Sequence, residues 1–126
     1  YEQYQERIKK MIEAMVNEGI EKCFLVRIGN HRDNTTIYDE IMRAQTDLCK
    51  EYEHAVLVST KLCDFAYNGL MKDQFHYKQE GYNIVGKDAG INSAFYVNNN
   101  KEPFMYDGEA TRCPEKFDTL YVSRKN

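Results

Sequence analysis

Apolar residues recur at spacings of three and four from Tyr4 to Asn17, through Ile8, Met11, Ile12, Met15 and Val16. That is the period of an amphipathic helix, and Gly19 is placed to stop it, because glycine accepts the backbone twist at a helix C-terminus. Residues 23–28, CFLVRI, form an apolar run closed by Gly29 and Asn30, which suits a buried strand of a parallel sheet. Only Arg27 breaks the run, and it either snorkels at the sheet end or faces a pocket. A second helical pattern runs through Ile37, Ile41, Ala44, Gln45, Leu48 and Tyr52, with Thr35 and Thr36 offering its N-cap. Gln45 lies on or near the apolar face, where it packs in preference to bonding backbone or lining a pocket. The apolar run AVLVS at 55–59 follows. Strand, helix and strand make a βαβ unit, whose right-handed crossover sets the two strands parallel.

Beyond it, residues 60–72 read as a loop containing Asp64, Asn68 and Gly69. Tyr82, Ile84, Val85, Ala89 and Phe95 then carry a helix starting around Tyr77 or Lys78. Its glycines at 81, 86 and 90 imply close packing on the sheet or a frayed end. From residue 99 the chain turns polar and holds both prolines, Pro103 and Pro114, so 99–126 reads as an irregular tail with an edge strand at 119–122. The fold expected is a three-layer α/β/α arrangement with a parallel sheet, occupying residues 1–98. Two short strands cannot bury both faces of a sheet against helices and still build a sufficient core, so that sheet is expected to be incomplete.

The chemistry concentrates in Asp73-Gln74-Phe75-His76. A carboxylate three residues before a histidine can accept the imidazole N–H, fix its tautomer and leave the other ring nitrogen to take a proton from a nucleophile. Taken alone, such a pair is more often a surface or capping histidine beside an acidic residue. Open α/β sheets bind ligands beyond the carboxyl ends of their strands. The loop after the first strand carries Asn30, His31 and Arg32 to that edge, and the loop after the second ends at Asp73. Asn30, His31 and Arg32 are accordingly candidate substrate contacts, with solvated loop residues as the alternative for His31 and Arg32.

The stretch 72–86, with Asp73, His76, Gly81 and Gly86, resembles the last sequence block of the SGNH (GDSL-type) hydrolases, where Asp and His of the triad precede the final helix. Upstream, the helix with central Gln45 followed by the strand at 56–59, and the helix at 4–16, resemble the sialate O-acetylesterase-like branch of carbohydrate deacetylases. The resemblance covers about the first ninety residues, and only the Asp-His block is chemically specific. It implies an α/β/α esterase acting on O-acetylated carbohydrate, with Asp73 and His76 as the base system and no cofactor. The family's nucleophile block and its oxyanion-hole Gly and Asn blocks have no match. Ser59, Ser93 and Ser123 are the only serines, and none sits on the small-residue turn that exposes a nucleophile. The serine is therefore expected from an upstream segment or a separate chain, an expectation that a chain opening on Tyr1 without Met also suits. The alternative is a noncatalytic carbohydrate-recognition or structural module of the same fold.

Composition narrows the classes further. With 17 basic against 20 acidic residues, the chain has no basic footprint for nucleic acid or an anionic membrane, and no stretch has the apolar length of a membrane span. Cys23, Cys49, Cys63 and Cys113 are far apart, without the paired spacing of a zinc site. Cys23 and Cys49 fall at apolar-patterned positions that suit buried thiols, with a disulfide as the alternative. His31, His54 and His76 likewise lack metal-ligand spacing, so no metal is called for.

Overall fold

The computed structural model describes residues 1–105. Among these residues it is a small α/β protein of three α-helices and a two-stranded parallel sheet. Helix α1 spans Glu2–Asn17 and strand β1 Cys23–Val26; helix α2, Asp39–Glu51, leads into strand β2, Ala55–Ser59. A short 3₁₀ helix at Lys61–Asp64 follows, and α3 spans Gln79–Asn99. The edge strand expected at 119–122 lies outside the described residues.

Helix α1 ends as its glycine predicts. Gly19 adopts φ +104°, its N–H donates to the Val16 carbonyl at 3.0 Å and the Ile20 N–H reaches back to Met15 at 3.1 Å. These are the two bonds of a Schellman stop. Helix α2 begins later than its N-cap pattern predicts. Thr36 is spent on a turn, where its hydroxyl donates to Asn34 Oδ1 at 3.3 Å and its carbonyl accepts the Asp39 N–H at 3.2 Å. Tyr38 is the residue before the first helical turn and provides no side-chain cap.

The strands pair in parallel, with Cys23, Phe24 and Leu25 opposite Ala55, Val56 and Leu57, and a register shift then sets Val26 against Ser59. Regular pairing stops at Val26, two residues short of the apolar run; beyond it the Arg27 N–H still donates to the Ser59 carbonyl at 2.9 Å, and the backbone N–H of Ile28 is taken by the Gln45 side chain at 2.7 Å. Gln45 thus bonds backbone, and its own amide donates to Tyr4 at 2.7 Å. Arg27 does not snorkel. Its side chain is fully buried, and Nη1 donates to Thr46 Oγ1 at 3.2 Å, which turns the cation onto α2.

Two apolar clusters hold the frame. Ile12 of α1, Leu48 and Cys49 of α2 and Ala55 of β2 form the larger, with Ile8, Val16, Cys23, Leu25 and Leu57 packed around them. Burial also pushes the Cys49 thiol up to about 12, so it is protonated at neutral pH. The second cluster joins Met42 of α2 to Cys63 of the 3₁₀ turn, with Ile28 and Tyr67 against them, and lies beneath the strand ends. Among the described residues, Cys23, Cys49 and Cys63 form no disulfide.

Helix α3 packs along β2 with a mixed inner face. Asn92 donates to the Val58 carbonyl at 2.8 Å, and the fully buried Ser59 donates to Asp88 at 2.7 Å. Polar side chains therefore satisfy the strand, while Tyr82, Ile84, Ile91, Phe95 and Val97 remain exposed. Of its glycines only Gly81 is a packing site, where a Cβ would lie 3.2 Å from the Phe65 ring. Gly86 and Gly90 face open space within an unbroken helix, so neither close packing nor fraying explains them. No helix among the described residues is long and apolar enough to cross a membrane.

Candidate active site

The segment between β2 and α3 is more ordered than its loop-like composition predicts. The 3₁₀ turn sends Phe65 into the core, fully buried. Met71 and Tyr77 then form an antiparallel bridge, with Lys72 N–H donating to the His76 carbonyl at 3.0 Å and Lys78 N–H to the Leu70 carbonyl at 2.8 Å. Asp73, Gln74, Phe75 and His76 make the tip of this hairpin-like loop.

One carboxylate organises the tip. Asp73 Oδ1 accepts the backbone N–H groups of Phe75 and His76, each at 2.8 Å, which is the local bonding that suits aspartate to turns. Both carboxylate oxygens also lie 3.0 Å from His76 Nδ1. A carboxylate only accepts, so Nδ1 carries the hydrogen, and in the neutral ring Nε2 is then the nitrogen with the lone pair. The two backbone N–H groups, and after them the ring, hold the Asp73 carboxyl down at about 2. The pair is open to solvent, with side-chain exposures of 62% for His76 and 50% for Asp73.

The loop leaving β1 lies against this tip. Arg32 N–H donates to the Gln74 carbonyl at 3.1 Å, and the His31 and Phe75 rings meet edge to face with centroids 4.8 Å apart. What allows the approach is Gly29. A Cβ there would collide with the Leu62 carbonyl oxygen and come within 2.8 Å of the Tyr77 hydroxyl. Sequence reading treats Gly29 as a strand terminator. Its role as a seam depends on Leu62 and Tyr77, which are distant in the chain.

The three candidate substrate contacts fall in different settings. Asn30 is 3% exposed and its amide donates to the Cys63 carbonyl at 2.9 Å, so it braces the loop onto the 3₁₀ turn. The Arg32 guanidinium is engaged by its neighbour, with Nε 2.9 Å from Asp33 Oδ1. That hydrogen bond pulls the Asp33 carboxyl below its ordinary value and raises Arg32 above its own. His31 is half-buried, and its Nδ1 accepts the N–H groups of Asp33 and Asn34 at 3.1 and 3.2 Å.

Sequence reading passed over Phe75, an exposed ring between the two titratable residues. The signal available to it was a large apolar residue in a polar tip. Among the described residues no three of His, Cys, Asp and Glu gather as a metal would require. Ser59 Oγ is buried and committed to Asp88 and to the Lys61 N–H, which leaves it no route to the pair. Comparison with protein-family models, with curated proteins and with solved structures finds no match to this chain.

Proposed function

We propose that the chain is the C-terminal part of an SGNH-type, three-layer α/β/α serine esterase that removes acetyl groups from carbohydrate, with Asp73 and His76 as its base system. The observation that carries this reading is the orientation of His76. Asp73 fixes its hydrogen on Nδ1, which leaves Nε2 as a free base on a solvent-open ring. The tip stands beyond the carboxyl end of β2, beside the loop from β1, where a doubly wound sheet gathers its catalytic groups.

The nucleophilic serine and the oxyanion donors come from an upstream segment or separate chain that also completes the sheet. Two features support this. Cys23 and Arg27 donate their backbone N–H groups toward β2, so by strand alternation those of Phe24 and Val26 face the opposite edge, and among the described residues β1 pairs only with β2. Phe24 and Val26 are also exposed, as are Ile91 and Val97 of α3, a distribution that suits apolar surface covered by further elements.

A specific observation favours a second reading, the noncatalytic recognition module. Asp73 already has a complete structural role in holding the Phe75 and His76 amides. One assay separates the two readings. In the full-length protein, acetate release from an acetylated sugar is expected to fall about a hundredfold or more in His76→Ala, with the melting temperature unchanged. Near-wild-type release by His76→Ala would remove His76 from the chemistry. No release by the intact protein would leave the recognition module as the better account.

A further inference from the structure

We propose that His31 and Phe75 together position the substrate of this site, His31 as a neutral hydrogen-bond donor through Nε2–H and Phe75 as an apolar platform for a sugar ring. The proposal rests on the esterase reading above and assigns roles within the same site.

The donor role follows from hydrogen-bond bookkeeping. Two backbone N–H groups, of Asp33 and Asn34, point at His31 Nδ1. An N–H can donate only to a lone pair, so Nδ1 is bare and the ring hydrogen sits on Nε2. His76 is arranged the other way, with its hydrogen on Nδ1 against Asp73. The two neighbouring loops therefore present opposite functions, an acceptor at His76 Nε2 and a donor at His31 Nε2. Attack on an ester uses both, one to take the nucleophile's proton and one to hold a substrate oxygen in place.

The platform role follows from where Phe75 sits and how it is held. Its ring is 60% exposed on a tip whose other residues are Asp73, Gln74 and His76. It lies outside the sheet and helix faces that a further segment would cover. Its backbone N–H is fixed by Asp73 at 2.8 Å, and its ring by the edge-to-face contact with His31 at an interplanar angle of 87°. A rigid aromatic face of this kind complements the C–H face of a pyranose, whose hydroxyls remain free at the rim for a donor such as His31. Phe75 and His76 are neighbours in the chain, so the proposed platform and the proposed base belong to the same tip.

The test uses the full-length protein and two esters, an O-acetylated monosaccharide and ethyl acetate, which has no ring to stack. Phe75→Ala is expected to raise KM for the acetylated sugar about tenfold, the range of one aromatic contact, and to leave kcat/KM for ethyl acetate within about twofold. Phe75→Tyr is expected to restore the sugar KM. His31→Leu is expected to lower kcat/KM for the sugar ester, and His31→Gln, which keeps a donor, to recover most of it. An unchanged sugar KM in Phe75→Ala, or an equal loss on both esters, overturns the platform. Equal losses in His31→Leu and His31→Gln overturn the donor. If the wild-type protein releases acetate from neither ester, the esterase reading fails separately. Titration of the acetylated sugar followed by NMR then decides the present proposal: shifts at the Phe75 and His31 rings of the wild-type protein, with the His31 shifts lost in Phe75→Ala, support it, and their absence in the wild-type protein overturns it.

Discussion

The two loops that meet at the candidate site are held in opposite ways. The Asp73–His76 tip is exposed and organised from within, by one carboxylate that bonds two amides and a ring. The loop carrying Asn30 and His31 is anchored from below, by a glycine seam under Leu62 and Tyr77 and by a buried amide on Cys63. The difference divides chemistry from stability. Changes at the tip should alter reactivity and leave the fold intact, whereas changes at the seam should cost stability and reach activity through the folded fraction and the placing of His31.

The sharpest way to break that division is Asp73→Asn. An asparagine oxygen can still accept the Phe75 and His76 amides and keep the turn, but its amide cannot hold the histidine as the carboxylate does. Turnover of the full-length protein should fall by roughly tenfold to a hundredfold at an unchanged melting temperature. A parallel loss of melting temperature would make Asp73 a structural residue. The converse case is Gly29→Ala, where a Cβ meets the Leu62 carbonyl. Overpacking of this kind costs about 1–3 kcal/mol, read as a lower denaturation midpoint. Asn30→Ala should cost somewhat less, about 1–2 kcal/mol, through the buried Cys63 carbonyl it leaves without its donor.

A smaller effect should appear in acid. The Asp73 carboxyl titrates at about 2 in the folded protein and near 3.9 when unfolded. A depressed value means that its contribution is fully present above the unfolded value and is lost as pH falls through about 2. The Phe75 and His76 amides should therefore stay protected from exchange at pH 5 and begin to lose protection below about pH 4. Protection that persisted unchanged to pH 2 would contradict the carboxylate's organising role.

What the sequence made legible were features that repeat or carry charge. The α1 stripe with its Gly19 stop, the β2 run and the Asp-x-x-His pair all follow from local patterns. The rest depends on contacts between distant residues. The start of α2 is delayed because Thr36 bonds within a turn, and past the end of β1 the Ile28 amide bonds to Gln45 of α2. The inner face of α3 is partly polar because β2 presents Val58 and Ser59 to it, a demand invisible in the helix's own spacing. Asn30 reads as a loop residue open to a ligand, yet it is buried because the carbonyl it serves belongs to the 3₁₀ turn. Phe75 carries no titratable group, and its exposure beside His31 follows only from the way the two loops meet.

The central claim is that the two histidines carry their hydrogens on opposite nitrogens, which makes one a base and the other a donor. Long-range ¹H–¹⁵N correlation spectra of the histidine rings, recorded at a pH where both are neutral, measure this directly. His76 should give the pattern of an Nδ1–H tautomer and His31 that of an Nε2–H tautomer, with the His76 pattern shifting in Asp73→Asn. An Nε2–H tautomer at His76 would contradict the account, because it would leave the site without an oriented base.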